Sequence, residues 1–356
     1  MRIGHRALPR NRWFTIGLII VNAALVPVVP AMAATLGFVQ QFDDNRSDNT
    51  DYYYFPTGVD ISPDGKHVYL SSQIDNAITV FTRDISTGRL SQAGNVRQDI
   101  EGVDGLKSAK DIILSPDGKH VYAIGLGKGN TTSAIYASLV GFTRDAQTGL
   151  LTPADLRQEQ GQTNSNSAGN INVAFSSDYA KLAFSPDGYF LYVSAFNSNN
   201  VMVFQRAAAN GVLSLVEVFS GDVNGSAVLD NIAFARGITV SPDGKNVYVT
   251  GGELRGPGSG AVTVFSRHAI TGRLTLLHAI VNGQGGVSGL ARPRDVLVSP
   301  DGKHVYVAAG QDNDIVVFNR ASDGQLTYVE KVNYFDTLAN TNVLMDAESL
   351  VFSPNG

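Results

Sequence analysis

Ser62-Pro63-Asp64-Gly65-Lys66-His67-Val68-Tyr69 decides the fold of this chain, because its first four residues recur along the sequence. The tetrapeptide Ser-Pro-Asp-Gly begins at Ser62, Ser115, Ser185, Ser241 and Ser299, and a variant copy, Ser-Pro-Asn-Gly, begins at Ser353. Successive copies are separated by 53, 70, 56, 58 and 54 residues. A period of this size predicts a repeat architecture in which one structural unit is copied along the chain.

Each repeat contains four short segments, which the first copy illustrates. Val59-Asp60-Ile61 precedes the turn, Lys66-His67-Val68-Tyr69 follows it, Val80-Phe81-Thr82-Arg83 comes third, and a fourth segment begins at Leu90 after a glycine. The segments are rich in β-branched and aromatic residues and are bounded by Gly, Pro, Asn or Asp, which is typical of strands. In the tetrapeptide, Pro sets φ for a tight turn and Gly tolerates the left-handed conformation that follows.

Four antiparallel strands in every repeat predict an all-β fold, a β-propeller whose blades have the first strand innermost. The first strand is apolar at nearly every residue, so we expect both of its faces to be buried. The repeats predict five complete blades with partial strands at both ends, as part of a propeller that has six or seven blades when complete. The propeller domain is predicted over residues 34–356.

The two ends of the repeat array leave two interpretations open. Residues 36–42 resemble a fourth strand without its blade, and residues 349–352 resemble one further first strand. The chain is then either incomplete at its C-terminus or a six-bladed ring with a two-stranded last blade. The first interpretation is preferred, because a terminal innermost strand would leave unpaired edges.

Residues 1–33 have the pattern of a secretory signal peptide. Four arginines precede an apolar run over residues 14–29, and Ala31-Met32-Ala33 supplies the small residues of a cleavage site. An uncleaved membrane anchor is the alternative, although Asn22 and two prolines interrupt a stretch that is short for a membrane span. The sequence therefore predicts a periplasmic or secreted protein with no membrane span after cleavage.

Charge and composition exclude several classes of function. Removing the four N-terminal arginines, with no acidic residue among them, changes the formal net charge from −5 to −9. An acidic exported protein without a basic stripe is not expected to bind nucleic acid. The absence of cysteine excludes disulfides, thiolate catalysis and cysteine-based metal sites. No phosphate-binding loop or metal-binding spacing is present, so we expect no cofactor and no metal.

The strand order gives the predicted propeller two different faces. The turns between strands one and two and between strands three and four lie on one face, which we call the turn face. The other connections lie on the opposite face, the loop face, and they vary in length and content, as over residues 125–132, 159–177, 221–235 and 251–260. Variable loops on a repetitive scaffold are the usual place for function.

The innermost strands should converge at the mouth of a central channel on the loop face. Five residues before each turn serine, the copies carry Thr57, Lys110, Ala180, Arg236, Arg294 and Glu348. Lys110, Arg236 and Arg294 could form a cationic ring beside Asp111, Asp295 and Glu348. Such a ring suits a carboxylate or phosphate ligand, or the stabilisation of an oxyanion. Alternatively, these charges neutralise one another and seal the channel.

Three other repeated features have structural interpretations. Ser62, Asp64 and His67 resemble a hydrolytic triad, but the histidine is not kept in every copy whereas the serine and aspartate are, as turn residues would be. The tyrosine that ends each second strand should pack between blades. The arginine that ends each third strand, such as Arg83, should pair with a neighbouring carboxylate or cap the following loop.

The repeated Ser-Pro-Asp-Gly-Lys-His-Val-Tyr-Val and Val-Phe-x-Arg-Asp-x-x-Thr-Gly-x-Leu segments resemble the lactonase-type, or 6-phosphogluconolactonase-like, β-propeller family. Gly102-Val103-Asp104-Gly105-Leu106 and Gly286-Val287-Ser288-Gly289-Leu290 add to the resemblance, which covers nearly all of residues 36–356. It implies a seven-bladed propeller acting on sugar lactones without an obligatory metal. It also implies Arg, His and Glu side chains around the central cleft. Arg236, Arg294 and Glu348 stand at suitable strand starts, and no histidine does.

Two functions remain open on this sequence. In the first, the protein is an exported lactone hydrolase that acts on a sugar or related lactone at the channel mouth. Arg236 and Arg294 would bind the acidic or carbonyl end of the substrate, and Asp111, Asp295 or Glu348 would activate water as general base. In the second, it is a non-enzymatic periplasmic or surface scaffold whose loops bind a carbohydrate, such as a glycan, or a surface protein.

Overall fold

The computed structural model describes residues 40, 54–128, 135–154, 171–174, 179–196, 199–220, 230–252, 258–333 and 347–352. The predicted signal peptide and all of the predicted strand over residues 36–42 except Gln40 lie outside the described residues. Within the described part, no helix has the length and apolar character needed to cross a membrane.

The described residues form five consecutive antiparallel sheets, which are the five predicted blades. Blade 1 contains β1 (Pro56–Ile61), β2 (His67–Ser72), β3 (Ala77–Arg83) and β4 (Leu90–Arg97). Blade 2 contains β5 (Lys107–Leu114), β6 (His120–Lys128), β7 (Ile135–Arg144), β8 (Leu151–Ala154) and β9 (Ile171–Ala174). Blade 3 contains β10 (Ala180–Phe184), β11 (Phe190–Ala195), β12 (Asn200–Arg206) and β13 (Leu213–Ser220).

The last two complete blades follow the same plan. A single turn of 3₁₀ helix, Asp230–Ile232, precedes blade 4, which contains β14 (Ile238–Val240), β15 (Asn246–Gly251), β16 (Ala261–Arg267) and β17 (Leu274–Val281). Blade 5 contains β18 (Pro293–Val298), β19 (His304–Ala309), β20 (Asp314–Arg320) and β21 (Leu326–Asn333). Four of the sheets have four strands in chain order, and blade 2 keeps β5 to β8 in that order with β9 added beside β7, so the prediction of propeller blades built on four strands is confirmed.

Blade 2 differs from the prediction in its outermost strand. Part of the predicted loop over residues 159–177 forms β9, which pairs with β7 through Leu139 and Ile171. The short β8 pairs with β7 nearer the turn face, through Arg144 and Leu151. The outermost strand of this blade is therefore made of two separate segments.

The repeated tetrapeptide makes the predicted tight turn between strands one and two. In blade 1 the N–H of Gly65 donates to the carbonyl of Ser62 at 2.7 Å, and Gly65 has φ 69°. The Ser62 hydroxyl donates to Asp64 at 2.5 Å and accepts the N–H of His67 at 2.9 Å. Ser62 and Asp64 thus hold the turn through their side chains, as expected of turn residues.

Adjacent blades are joined on the turn face by one arginine from the following blade. Arg144 donates to the Tyr69 hydroxyl at 2.8 Å and pairs with Asp64 at 3.2 Å. A second nitrogen of Arg144 donates to the carbonyl of Gly118 at 3.1 Å, and a third lies 2.7 Å from Nδ1 of His67. We call this arrangement the inter-blade latch. Because a guanidinium can only donate, His67 must be neutral at Nδ1.

At each of the other three junctions between the five blades, an arginine of the following blade also pairs with the turn aspartate and donates to a glycine carbonyl. Arg267 and Arg320 also donate to the tyrosine hydroxyl, and Arg206 contacts a histidine, His120. The arginine–aspartate pairs are Arg206–Asp117 at 2.8 Å, Arg267–Asp187 at 2.6 Å and Arg320–Asp243 at 2.9 Å. The predicted pairing of these arginines with neighbouring carboxylates is confirmed. The tyrosines of the second strands are buried, and that of blade 1, Tyr69, donates to the carbonyl of Gly149 in blade 2 at 2.8 Å. Their predicted packing between blades is also confirmed.

The hydrophobic core lies between the faces of successive blades. Tyr122 and Leu139 of blade 2, for example, pack against Leu182, Leu191 and Phe204 of blade 3. The innermost strands β1, β5, β10, β14 and β18 pack against one another in that order. The expectation that every first strand is buried on both faces is wrong for β1. Val59 and Ile61 are 63% and 46% exposed there, since β2 and β5 are the described strands that cover β1.

The segment over residues 347–352 lies against blade 5 as the beginning of a further innermost strand would. Ala347 and Leu350 pack on Tyr306 and Ile315 of blade 5. The N–H of Leu350 donates to Asp295 in β18 at 2.9 Å. This segment therefore brings Glu348 to the innermost strands.

Gln40, which precedes blade 1 in the chain, forms two hydrogen bonds with the outermost strand of that blade. Its side chain donates to the carbonyl of Leu90 at 3.1 Å and accepts the N–H of Leu90 at 2.9 Å. Glu217 of blade 3 likewise accepts the N–H of Leu274 in blade 4, at 2.6 Å. Gln40 thus contacts Leu90 of blade 1 in the way that Glu217, in the outermost strand of blade 3, contacts Leu274 of blade 4.

Candidate active site

In blades 1, 2 and 5, the position five residues before the turn serine lies at an irregularity in the pairing of the innermost strand. The pairing of β18 with β19 shifts register between Pro293 and Asp295, at Arg294, and the pairing of β1 with β2 shifts between Pro56 and Gly58. A bulge bends the strand locally and re-aims a side chain, and bulges are common beside active sites. The sequence identified these positions, but it carried no signal for the bulges.

Arg236 and Arg294 are both buried, at 3% and 7% exposure. The N–H of Arg236 donates to the carbonyl of Thr250 at 2.9 Å, and its own carbonyl accepts the Ser194 hydroxyl of blade 3 at 2.5 Å. These bonds fix the main chain of Arg236 between two blades. Both predicted arginines are therefore buried at the innermost strands.

The two guanidinium groups meet on the ring of Tyr179. Cζ of Arg236 lies 4.3 Å from the centre of the ring, and Cζ of Arg294 lies 5.5 Å from it. Cζ of Arg236 also lies 4.2 Å from the ring centre of Phe196. Tyr179 is 42% exposed, so this group of side chains reaches solvent. Sequence reasoning missed both aromatic residues, although Tyr179 directly precedes the equivalent position, Ala180.

The three predicted carboxylates have different environments. Glu348 lies 3.5 Å from Nη1 of Arg294, and its side chain is 62% exposed. Asp111 lies 3.5 Å from Nζ of Lys181 and accepts the N–H of Leu182 at 2.9 Å. Of the predicted carboxylates, Glu348 is therefore the one that water and a ligand reach most directly.

Asp295 is buried and its oxygens accept hydrogen bonds from two strands. One oxygen accepts the N–H of Val296 at 2.9 Å. The other accepts the N–H of Leu350 at 2.9 Å and the hydroxyl of Ser349 at 3.2 Å. Asp295 thereby fixes the segment that carries Glu348.

Asp60 plays the same part between blades 1 and 2, and sequence reasoning missed it. It accepts the N–H of Leu114 at 2.7 Å and that of Ile61 at 2.8 Å. An innermost strand has one edge without a strand partner, so its N–H groups need another acceptor. Aspartates of the preceding blade supply that acceptor at Leu114, Leu182 and Leu350.

Burial in the channel perturbs the ionisation of these groups. Burial raises the pKa of Asp60 to about 6, against the hydrogen bonds from Leu114 and Ile61, and the negative charge of Asp111 adds to the rise. Burial also raises the pKa of Asp111, although Lys181 opposes the rise. The charge of Asp111 in turn raises the pKa of Lys181. Asp60 and Asp111 are therefore carboxylates whose charged form is disfavoured by burial, and Lys181 partly compensates the charge of Asp111.

The structure brings together only part of the predicted ring. Arg236 and Arg294 share Tyr179, and Glu348 pairs with Arg294. The cation paired with Asp111 is Lys181 rather than Lys110. The mouth can thus present two guanidinium groups and one exposed carboxylate to a ligand, while Asp111 and Asp295 are occupied in joining strands.

Two further observations bear on the location and chemistry of the site. A depression of about 610 Å³ lies elsewhere, at the turn between strands three and four of blade 1, lined by Arg83, Asp84 and Leu90 among others. Its lining comes from turn-face and outermost-strand residues, away from the channel mouth. Across the part of the chain that the structure describes, no group of three or more His, Cys, Asp or Glu residues could hold a metal ion.

Comparison with known proteins gives one family and several similar folds. A family model described as lactonase, 7-bladed beta-propeller, matches residues 58–217 and 226–340. No curated protein matches the chain. A protein from Lactobacillus plantarum is 18% identical with a TM-score of 0.56, over 78% of this chain and 70% of that one. A functionally unknown protein from Desulfotomaculum acetoxidans has the same identity and coverage with a TM-score of 0.54.

A third solved structure has a description that names an activity. It is a "putative 6-phosphogluconolactonase" from Bacteroides uniformis, 18% identical, with a TM-score of 0.51 over 78% of this chain and 85% of that one. At identities this low, the likeness of all three structures is one of fold, and chemistry has to be argued from the site itself.

Proposed function

Since the chain belongs to the lactonase family of seven-bladed β-propellers, we propose that it is an exported lactonase that hydrolyses a sugar or related lactone at the channel mouth. The observation that carries the proposal is the meeting of Arg236, Arg294 and Glu348 at that mouth. Two buried guanidinium groups provide the positive charge that a carbonyl oxygen needs as it becomes an oxyanion. An exposed carboxylate beside them provides a base.

In the proposed reaction Glu348 is the general base. It takes a proton from water while the water oxygen bonds to the lactone carbonyl carbon, and Arg236 and Arg294 stabilise the oxyanion that forms. Collapse of the tetrahedral intermediate breaks the ring C–O bond, and the proton held by Glu348 passes to the leaving alkoxide. The product is a hydroxy acid, whose carboxyl group releases its proton to bulk water.

Asp111 and Asp295 have positioning roles in this scheme. The hydrogen bonds of Asp295 to Leu350 and Ser349 hold the segment that bears Glu348. Asp111 holds β10 through Leu182 and keeps Lys181 in the channel. Either carboxylate would need to give up backbone hydrogen bonds to act as a base, which favours Glu348 for that role.

The test is a pH-stat assay of acid release from a panel of sugar and aliphatic lactones. Glu348→Gln keeps the size of the side chain and removes the base, so we expect the rate to fall about 100-fold or more. Glu330→Gln is the matched control, because Glu330 is an exposed residue of β21 in blade 5, the same blade that carries Arg294. Its rate should equal that of the unchanged protein.

Two results would contradict this assignment. If folded protein releases no acid above buffer from any lactone, the hydrolase proposal fails. If Glu348→Gln hydrolyses a lactone at the original rate, Glu348 is not the base. Far-UV circular dichroism of each variant establishes that a lost rate is not a loss of fold.

Export is a separate part of the proposal, and it rests on the pattern of residues 1–33. N-terminal sequencing of the protein from a periplasmic or culture fraction tests it. A mature N-terminus at Ala34 is the expected result, and retention of residues 1–33 in the membrane fraction would favour the anchor instead.

A non-enzymatic scaffold is the second candidate, and the paired charges of the channel favour it. The Asp111–Lys181 pair and the fully engaged Asp295 leave less free charge than an open catalytic ring would have. On this alternative the protein binds a carbohydrate or a surface protein and releases no acid. Binding of a lactone from the same panel without acid release would support it.

A further inference from the structure

We propose that Tyr179, Phe196 and Phe234 form an aromatic clamp that positions the guanidinium group of Arg236 at the channel mouth. The inference rests on the proposed function of that mouth and adds positioning residues to it. Tyr179 and Phe196 contact Arg236 directly, and Phe234 packs against Phe196. The clamp makes the mouth selective for a ligand with a planar, oxygen-bearing end group.

The contacts of Arg236 support the first part of this inference. Its Cζ lies 4.3 Å from the ring centre of Tyr179 and 4.2 Å from that of Phe196. The two rings lie 5.7 Å apart at an angle of 71°, and the N–H of Phe196 donates to the carbonyl of Tyr179 at 3.1 Å. Attraction between a guanidinium and two ring faces restricts the side chain to one orientation.

Phe234 completes the group from the segment that leads into blade 4. Its ring centre lies 4.9 Å from that of Phe196. Phe234 has φ 56°, a left-handed conformation that is costly for an aromatic residue. The side chain of Asn199 holds it there by accepting the N–H of Phe234 at 2.8 Å. Blade 3, which carries Tyr179 and Phe196, therefore also holds Phe234 in place through Asn199.

The left-handed backbone itself is a repeated feature, whereas the residue type at this position differs among the blades. The equivalent residues, seven positions before the turn serines of blades 1, 2 and 5, are Phe55, Ser108 and Arg292, with φ 58°, 51° and 49°. The fold therefore places this position in the same conformation in four blades while the side chain varies. A position with constant backbone and variable side chain is suited to setting specificity.

Stacking also bears on the class of ligand. The rings of Tyr179 and Phe196 lie at 71° to each other, so they contact the planar guanidinium of Arg236 from two directions and do not cover both of its faces. A ligand is then expected at the edge of the guanidinium, in the plane of its nitrogens. A carboxylate, or a lactone carbonyl with its ring oxygen, presents two oxygens in one plane and matches that edge. Arg294 lies 5.5 Å from the same Tyr179 ring, so one exposed side chain helps to orient both arginines.

Tyr179 is the residue through which the clamp is best tested, because it is 42% exposed and its replacement should not prevent folding. Tyr179→Leu removes the ring, and Tyr179→Phe keeps it. Tyr189→Leu is the matched control, since Tyr189 is an aromatic residue of the same blade, 54% exposed, in the turn before β11. Two measurements are made on each variant. Arginine Nε–H signals are recorded by ¹H–¹⁵N NMR, and the affinity for gluconate is measured by calorimetry.

We expect Tyr179→Leu to move at least one ring-shifted arginine signal and to weaken gluconate binding about tenfold, the order expected for loss of a cation–π contact. If the lactones are hydrolysed, KM should rise about as much while kcat changes little. Tyr179→Phe should keep both properties within about twofold, and Tyr189→Leu should change neither.

Unchanged arginine signals in Tyr179→Leu would overturn the clamp, and so would a Tyr179→Phe variant as impaired as Tyr179→Leu. Failure of the proposed function has a different signature. If the unchanged protein neither hydrolyses a lactone nor binds gluconate, the function is wrong, while the NMR signals still decide whether the clamp holds Arg236.

Discussion

The aspartates of the turn face and those of the channel are the same residue type in opposite electrostatic situations. On the turn face, burial acts to raise the pKa of Asp64, but hydrogen bonds from Ser62, Lys66 and Arg144 outweigh it and lower the pKa to about 2. The same balance lowers the pKa of Asp117 to about 2. In the channel, burial raises the pKa of Asp60 to about 6.

The turn-face aspartates stabilise the folded protein in their charged form. Asp60 does the opposite, because its charged form is disfavoured by burial in the folded protein. A turn-face aspartate receives a hydroxyl, a backbone N–H and the guanidinium of the next blade, all of which favour the charged form. Asp60 receives the backbone N–H groups of Leu114 and Ile61 without a guanidinium partner, and it lies near the carboxylate of Asp111 in a desolvated place. Titratable groups held in an unfavourable state concentrate at functional sites, which is why the channel is the better candidate.

The largest effect that would test this contrast is expected from Arg144→Ala. The change leaves Asp64, the Tyr69 hydroxyl and the Gly118 carbonyl without the partner that joins blades 1 and 2. Removing one partner of a buried pair typically costs several kcal/mol, and since Asp64 is partly exposed we expect a loss of about 3 kcal/mol in the free energy of unfolding. Urea denaturation monitored by circular dichroism measures it.

Lys119→Ala is the control for that variant. It removes a cation from the turn whose Gly118 carbonyl Arg144 binds, but Lys119 is exposed. Its effect should stay within about 0.5 kcal/mol. Equal losses in the two variants would mean that the latch contributes nothing beyond surface charge.

A pair of glycine variants would show how tightly the latch is packed. Gly149 and Gly88 occupy the same turn position in blades 2 and 1, with φ 76° and 75°. A Cβ at Gly149 would overlap the ring of His67, whereas a Cβ at Gly88 would meet nothing within 4 Å. Both alanine variants carry the left-handed strain, so their difference, about 2 kcal/mol, reports the displacement of His67. Equal unfolding midpoints in urea would contradict that packing.

The turn face could be predicted from sequence because its chemistry is local and repeated. Pro63, Asp64 and Gly65 specify the turn within four residues, and repetition at five places removes the ambiguity of a single copy. The arginine–aspartate pairing was foreseen only as pairing with some neighbouring carboxylate. Naming Asp64 as the partner of Arg144 requires knowing how two blades pack, over 80 positions of sequence.

The channel mouth was predicted less completely, for physical reasons that its residues illustrate. Arg236, Arg294 and Glu348 followed from their place in the repeat. Tyr179 and Phe196 did not, because the clamp is made across blades by residues that have no counterpart in the other copies. The bulge at Arg294 and the left-handed Phe234 carry no glycine, so nothing in the sequence marked either backbone irregularity.

The channel side of the comparison predicts a dependence of stability on pH that Asp60 controls. Its pKa is higher in the folded protein, about 6, than in the unfolded chain, so between about pH 4 and pH 6 the folded state binds more protons. The contribution of Asp60 to stability therefore falls as pH rises through that window. Asp60→Asn should make the decrease in the free energy of unfolding over that pH window smaller by about 1 to 2 kcal/mol. A shift of one pKa unit corresponds to about 1.4 kcal/mol, and the partial exposure of Asp60 reduces the effect.

Urea unfolding at unit steps from about pH 2 to about pH 7 gives the comparison, with Asp64→Asn as its counterpart. The pKa of Asp64 is lower in the folded protein, so its contribution to stability is present above about pH 4 and is lost as pH falls towards 2. Asp64→Asn should therefore lower the free energy of unfolding at pH 7, and this loss should become smaller as pH falls below about 4. Slopes of the same sign in both variants would contradict the difference between the two faces.

The smallest effect is expected from His67→Asn, which asks whether the latch itself depends on pH. Burial and the nearby Arg144 lower the pKa of His67, whose Nδ1 lies 2.7 Å from the guanidinium. The unfolded chain therefore binds a proton near pH 6.5 that the folded protein resists, and stability falls as pH decreases through that value.

Blade 4 already contains the replacement, since Asn246 accepts from Arg320 at 2.8 Å in the same place. His67→Asn should keep the stability of the protein at pH 7.5 and reduce its loss between pH 7 and pH 5.5, measured by urea unfolding. A variant with an unchanged loss would show that the histidine is not the titrating group of the latch.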